Sequence, residues 1–382
     1  MVKELERRKD GLLTKFIVRN FRGIEGEACL DLTSGQLNND SMQVKEFEGV
    51  KISAASALIG SRPSKNTEIV DAFNAFLLDI IGYYRQGGNQ QLLFNRKHEK
   101  TTSPTEFEVT FYLDGKEYRY GCYRTASVVL EEWLFEREYG KDAAHYEVCV
   151  FYRERDKFIS DIKGESRNKL MSALKVTHPD QLSLCVLGKR SYNPYNFISY
   201  WFLDIAQLQY IPDKLSRWNT PSYTAMTLHR FPELKDFVLA VLRKYDGTIS
   251  GLETIETKTE DGKPVYDIVL NYSTDPYEPD KCKEIPVSSS LSMVNEIITL
   301  AMQIELSHKM NLPILVKITH RNFDLAILKM LVNSYSNTVP ARGGQLLFTL
   351  ESDTSIKGGI VTPGLVYICS NEESDINFRK VE

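Results

Sequence analysis

The chain has 382 residues, of which 42% are hydrophobic and 26% charged, enough apolar material for the core of one large domain or two smaller ones. Lys and Arg number 47 against 51 Asp and Glu, a net charge of −4. That balance excludes a global electrostatic pull towards nucleic acid or an anionic membrane, and leaves open only a local basic groove. The six cysteines, Cys29, Cys122, Cys149, Cys185, Cys282 and Cys369, form no C-x-x-C pair and have no histidine at metal-ligand spacing. No metal site is expected, and the thiols read as core residues of a reducing compartment. The opening MVKELERRKDGLLTKFIVRNF is charged before it is apolar and never reaches a long hydrophobic run, so neither a signal peptide nor a membrane span is expected and a cytoplasmic protein is.

Taken in chain order, residues 14–32 alternate apolar and polar positions around a Gly23/Gly26 turn, which predicts a hairpin. AASALIG, residues 54–60, suits a buried strand, and from Thr67 the apolar spacing changes to Ile69, Phe73, Phe76, Leu77 and Ile80, one face of a helix. TEFEVTFYLDGKEYRYGCYR predicts a second hairpin turning at Asp114-Gly115. Residues 141–280 read as a mostly helical insertion, with RNKLMSALK and FPELKDFVLAVLRKYDG as its clearest helices. The last hundred residues alternate again: a helix over 293–310, the strand PILVKI, a helix over 323–335, the strand QLLFTL and a final strand LVYICS. That order predicts a sheet with parallel strands.

The loop between AASALIG and the first helix stands where a nucleotide-binding protein carries its phosphate loop. The form G-x-x-x-x-G-K-[ST] uses glycines to turn backbone N–H groups towards phosphates, a lysine as point charge and a hydroxyl for magnesium. Aligned on Gly60, the sequence runs Gly60, Ser61, Arg62, Pro63, Ser64, Lys65, Asn66, Thr67. Thr67 fits the hydroxyl, but Lys65 replaces the second glycine, Asn66 replaces the lysine, and Pro63 removes a backbone donor. A slip of one residue brings Lys65 to the lysine position and moves Gly60 out of place. An ordinary strand-to-helix turn with Thr67 as helix cap is the alternative.

Together, FIVRNFRGIEGEACLDL, ALIGSRPSKNTEIVDAFNAF, TEFEVTFYLDGKEYRYG, SSSLSMVNEIITLAMQIEL, PILVKITHRNFDLAILKMLVNSY and GGQLLFTLESDTSIKGGIVTPGLVYICSN resemble, in order and spacing, the ABC-type AAA ATPases of the SMC-like class. That class includes overcoming-lysogenization-defect, retron-associated and abortive-infection ATPases of bacteria. The resemblance implies an α/β ABC/SMC-type P-loop NTPase head with a mixed sheet. Its lobes would be residues 1–140 and 281–382, with 141–280 inserted. It assigns Ser288, Ser289 and Ser290 to a signature segment, with Ser290 at the glycine position; a serine-rich helix cap fits the same residues. It makes PILVKI the Walker B strand, so that Lys317 stands at the metal-binding aspartate and Ile318 at the catalytic glutamate. FTLESD matches a switch segment whose histidine position is Glu351, and His320 is not placed to substitute for it.

A cation at Lys317 opposes a metal ion: at about 4 Å two like charges repel by roughly 4 kcal/mol at an effective dielectric of 20. Ile318 accepts no proton, and Glu351 repels phosphate. Three losses of about 2–3 kcal/mol each slow hydrolysis by about 10⁴–10⁶. The expectation is therefore a pseudo-ATPase: no catalytic residues, no resident cofactor with ATP as the one candidate ligand, and a scaffold or regulatory role in bacterial anti-phage defence. The resemblance also implies a protein partner or a homodimer through the head face. Rival expectations are a metal-independent nucleotide sensor, a weak ATPase working with a partner, and a nucleic-acid clamp using Lys189, Arg190, Tyr192 and Tyr195.

Overall fold

The computed structural model describes residues 11–33, 44–47, 49–60, 63–82, 103–139, 145–190, 194–209, 220–273, 282–287, 292–317, 325–336, 344–350, 366–370 and 377–380. The expected opening hairpin is present as β1 (Gly11–Phe21) and β2 (Ile24–Asp31), paired antiparallel. β3 (Val44–Phe47) and β4 (Val50–Ser53) form a small ribbon, and β5 (Ala55–Gly60) leads to α1 (Pro63–Ile80). The second hairpin, β6 (Thr105–Leu113) and β7 (Lys116–Arg124), turns on Asp114 and Gly115 at φ 56° and 79°. Those left-handed angles are what a two-residue Asp-Gly turn requires to match strand twist.

The hairpins belong to one antiparallel sheet, continued by β8 (Val129–Tyr139), β9 (His145–Glu154) and β10 (Lys157–Ile159), in the order β10-β9-β8-β7-β6-β1-β2. The expected boundary at residue 140 falls between β8 and β9, which pair directly. Residues 141–280 are also not as helical as the sequence suggests. They contribute α2 (Gly164–Leu174), α3 (Ser183–Gly188), α4 (Asn196–Leu208), α5 (Pro221–Arg230) and α6 (Lys235–Tyr245), but also the long hairpin of β11 (Ile249–Lys258) and β12 (Pro264–Ser273). β13 (Cys282–Pro286) joins that hairpin as a third strand.

The C-terminal part alternates as expected: α7 (Ser292–Met310), β14 (Pro313–Lys317), α8 (Leu325–Ser336), β15 (Gln345–Leu350), β16 (Val366–Ser370) and β17 (Asn377–Lys380). Among the described residues these strands and β5 form a sheet in the order β14-β15-β5-β16-β17, parallel except for β17. The class is thus α/β with a mixed sheet.

Burial on both faces explains the short, continuous apolar runs of this sheet. Leu58, Leu315 and Leu347 point into one core, with α1 and the antiparallel sheet. Ala55, Ala57, Ile314, Val316, Leu346 and Phe348 point into the other, with α5, α6, α7 and α8. The first core is aromatic: Phe16 meets Phe73 edge-on at 5.0 Å, Phe76 stacks on Phe107 at 5.1 Å, and Phe111 stacks on Trp201 of α4 at 4.7 Å.

Two glutamines join backbones across layers. β1 shifts register against β6 between Leu13 and Lys15. There the Leu13 N–H donates to Gln345 Oε1 at 2.6 Å, while Gln345 Nε2 donates to the Leu13 and Ser53 carbonyls at 2.9 and 3.0 Å. Gln209 Oε1 accepts from the Leu315 N–H at 2.9 Å and so satisfies a donor on edge strand β14.

A buried charge cluster ties the antiparallel sheet to the start of α3. Glu132, fully buried, accepts from Tyr120 Oη at 2.9 Å, from the Ser183 N–H at 2.8 Å and from Arg153 Nη1 at 3.4 Å. Arg124 pairs with Asp79. Burial raises the Asp79 pKa despite the opposing pull of Arg124, and burial beside Glu132 pushes the Tyr120 hydroxyl well up.

Candidate functional site

In an open α/β sheet, ligands sit beyond the carboxyl ends of the parallel strands. Two of the sequence-predicted positions map to that edge. Gly60 ends β5 and Lys317 ends β14, while Glu351 follows β15 and lies outside the described residues. Register places Lys317 beside Thr349, and Thr349 beside Leu58. Lys317 is therefore level with a residue just short of Gly60, about 10 Å away across two strand spacings. The order β14-β15-β5 thus brings together the positions that the resemblance pairs.

The strand-to-helix connection is shorter than the aligned motif implies. Helix α1 begins at Pro63 rather than near Thr67, because proline has its φ preset for a first helical position and no N–H to leave unsatisfied there. Ser64, Lys65, Asn66 and Thr67 are consequently in the opening turns of α1, and Thr67 is not its cap. Their side chains lie outside the described residues, as do Ser61 and Arg62 entirely. Ser288, Ser289, Ser290, Ile318 and His320 also lie outside them.

Among the described residues, Lys317 has an acidic partner. Its Nζ donates to both carboxylate oxygens of Asp71, at 2.7 and 3.0 Å. Asp71 stands about 12 Å along α1 from Pro63 at 1.5 Å per residue, so the lysine reaches the flank of the helix rather than its N-terminus. The two side chains retain 19% and 17% of their exposure. At that depth a charge-assisted bond is worth about 1.5–3 kcal/mol, above the range of solvated surface pairs.

Arg22 supplies a second cation, with Nη1 3.3 Å from Asp71 Oδ2 and its guanidinium 5.0 Å from the Phe21 ring centre. It stands at the tip of the β1–β2 hairpin with φ 49°. The next residue lies close against α1: a Cβ on Gly23 would approach the Glu68 carboxylate to 2.4 Å, so that a larger residue there would have to displace the end of that side chain. Asp71 therefore gathers three elements, the hairpin tip, α1 and the end of β14.

Neither Asp71 nor Arg22 was singled out from the sequence. The available signal was Asp71 itself, a lone acid within IVDAF, where Ile69, Val70, Ala72 and Phe73 are all buried. A charge in such a run needs a partner.

Among the described residues, the arrangement around Lys317 does not fit a resident magnesium ion. The side chain at the end of β14 is an ammonium, and the carboxylate it meets, Asp71, already faces two cations. Among the described residues no three His, Cys, Asp or Glu side chains come together as metal ligands. The nucleic-acid stretch is also divided. Lys189 and Arg190 are exposed, but Tyr195 and Phe197 pack against the first core, and Tyr192 lies outside the described residues. No described helix is long and apolar enough to cross a membrane.

No protein-family model and no curated protein matches the chain. Among solved structures it is similar to an SMC head domain from Thermotoga maritima, at 9% identity and a TM-score of 0.42, covering 97% of this chain and 99% of that one. It is also similar to an SMC head bound to the C-winged helix domain of ScpA, at 11% identity and a TM-score of 0.47, covering 97% and 98%.

Proposed function

We propose that this chain is an ABC/SMC-type ATPase-like head that has exchanged nucleotide chemistry for internal ion pairing, and that it serves as a scaffold or regulatory subunit. The observation that carries the reading is the Lys317–Asp71 pair at 2.7 and 3.0 Å. The position that would hold a metal-binding aspartate holds a cation, and that cation is already neutralised within the chain. Three elements that nucleotide would otherwise organise are organised by one carboxylate. A protein partner or second copy engaging the head face, as part of an anti-phage assembly, is the setting the family resemblance suggests.

A second reading rests on the two cations at Asp71. With Lys317 and Arg22 both facing one carboxylate, a phosphate-bearing ligand would find positive charge without a metal. In that case the chain is a nucleotide sensor.

Calorimetric titration with ATP, with and without magnesium, separates the readings. The scaffold predicts no heat of binding up to millimolar ATP in either condition. Binding that is indifferent to magnesium favours the sensor. Tight binding that requires magnesium overturns both.

A further inference from the structure

Beyond the head face, a groove of about 570 Å³ runs between α6 and α8 on the far side of the parallel sheet from α1. Its floor is Phe237, Met330 and Ala326, and its rim carries Lys244, Lys329 and Asn333. Phe237 and Met330 are partly buried against the second core, so the floor is an outward continuation of that core. Among the described residues no acidic side chain lines the groove. Both lysines are exposed, and neither has a hydrogen-bond or ion-pair partner among the described residues. Lys244 lies in the last turn of α6, where the helix dipole favours a cation. Lys329 lies within α8, where no such effect accounts for it.

We infer that this groove docks an acidic amphipathic helix of a partner protein. Phe237 to Lys244 spans about 10 Å of α6, and Ala326 to Asn333 a similar length of α8, which suits two turns of a third helix. Such a helix would set aliphatic side chains at i, i+3 or i+4 and i+7 on the floor. Its carboxylates would meet Lys244 and Lys329 on either flank, a complementarity that fixes both partner type and orientation. Nucleic acid is disfavoured: two lysines beside an apolar floor do not track a phosphate backbone.

The test uses the full chain and a fluorescein-labelled helical peptide with leucines at those positions and glutamates on both flanks, followed by anisotropy. A matched peptide carries lysines for the glutamates. The acidic peptide is expected to bind, more weakly as salt rises, and the basic peptide to bind at least about tenfold less tightly. The double variant Lys244→Glu/Lys329→Glu should reverse that preference. Both substitutions are on exposed side chains, and circular dichroism confirms the fold. Absence of binding by the acidic peptide, equal binding of the two peptides, or indifference to the double variant overturns the proposal. So does concentration-dependent self-association that Met330→Asp abolishes, which would make a second copy the occupant.

Discussion

Lys317 and Asp71 are 246 positions apart in the chain, yet one ammonium touches both oxygens of one carboxylate. Removing either side chain leaves the other charge partly buried and short of a partner, and Asp71→Ala also leaves Arg22 without its carboxylate. A double-mutant cycle with Lys317→Ala and Asp71→Ala, read by urea unfolding, should give a coupling energy of about 1–2 kcal/mol. Lys317→Asp should cost more than Lys317→Ala, because it sets two carboxylates together. A coupling near zero would mean that the pair contributes nothing to holding β14 against α1.

Gln345 bonds the backbone N–H and carbonyl of Leu13, at the bulge in β1, and the carbonyl of Ser53, at the end of β4. Gln345→Leu keeps the volume and removes every hydrogen bond, stranding the Leu13 N–H and the Leu13 and Ser53 carbonyls in the core. A loss of about 3 kcal/mol in unfolding free energy is expected. Hydrogen exchange at the Leu13 amide should accelerate by more than the global destabilisation explains. A cost below about 1 kcal/mol would show that water or a shifted strand takes over these bonds.

Glu132 is the anion on which the buried cluster depends. Glu132→Gln leaves Arg153 charged and buried, and turns an amide towards backbone donors that need an acceptor. Breaking one side of such a pair typically costs about 3–5 kcal/mol. Tyr120→Phe removes a single hydrogen bond to the same carboxylate and should cost about 1 kcal/mol. If the first variant does not accumulate folded, the second still measures the cluster through its own shift in urea midpoint.

Alkaline stability follows from Cys149, whose thiol is pushed up to about 11 by burial, with Asp161 and Glu147 adding to the effect. The unfolded thiol ionises near its ordinary value of 9.0. Between those values the folded state holds more protons than the unfolded one, so stability falls as pH rises. The urea midpoint should decline from pH 9 to about 11, and Cys149→Ala should flatten part of that decline. An unchanged slope in the variant would assign the loss to the buried tyrosines and Cys122 instead.

The elements that were plain in the sequence are those whose cause is local. The Asp114-Gly115 turn names its own backbone geometry, and the spacing Ile69, Phe73, Phe76, Ile80 is a helix wherever it occurs. The parallel strands were legible because burial on both faces forces continuous apolar runs. The start of α1 was misplaced because the apolar period begins after the helix does, and Pro63 was read as an obstacle to phosphate rather than as a first helical residue. β9 and β10 were lost within a stretch dominated by helices, although the continuous run Val148, Cys149, Val150, Phe151 and Tyr152 is rich in β-branched and aromatic residues. At the candidate site, the residue types at Lys317 and Gly60 were visible, but not their surroundings. Asp71 and Arg22 reach Lys317 only through tertiary packing, and no spacing rule connects residues 22, 71 and 317.

Strand β5 has both of its sheet neighbours, β15 and β16, in the last part of the chain. On the ribosome it therefore waits. At about 5–20 residues per second, roughly 15–60 s pass between the emergence of Gly60 and the first partner for it. Throughout that interval β5 has two unpaired edges and two apolar faces, the combination most prone to pairing with a neighbouring nascent chain. Its early companions are β1 and α1, which cover one face only. Synthesis of this protein should consequently depend on holdase chaperones more than its size suggests, and slowing translation should lower rather than raise the yield of folded chain.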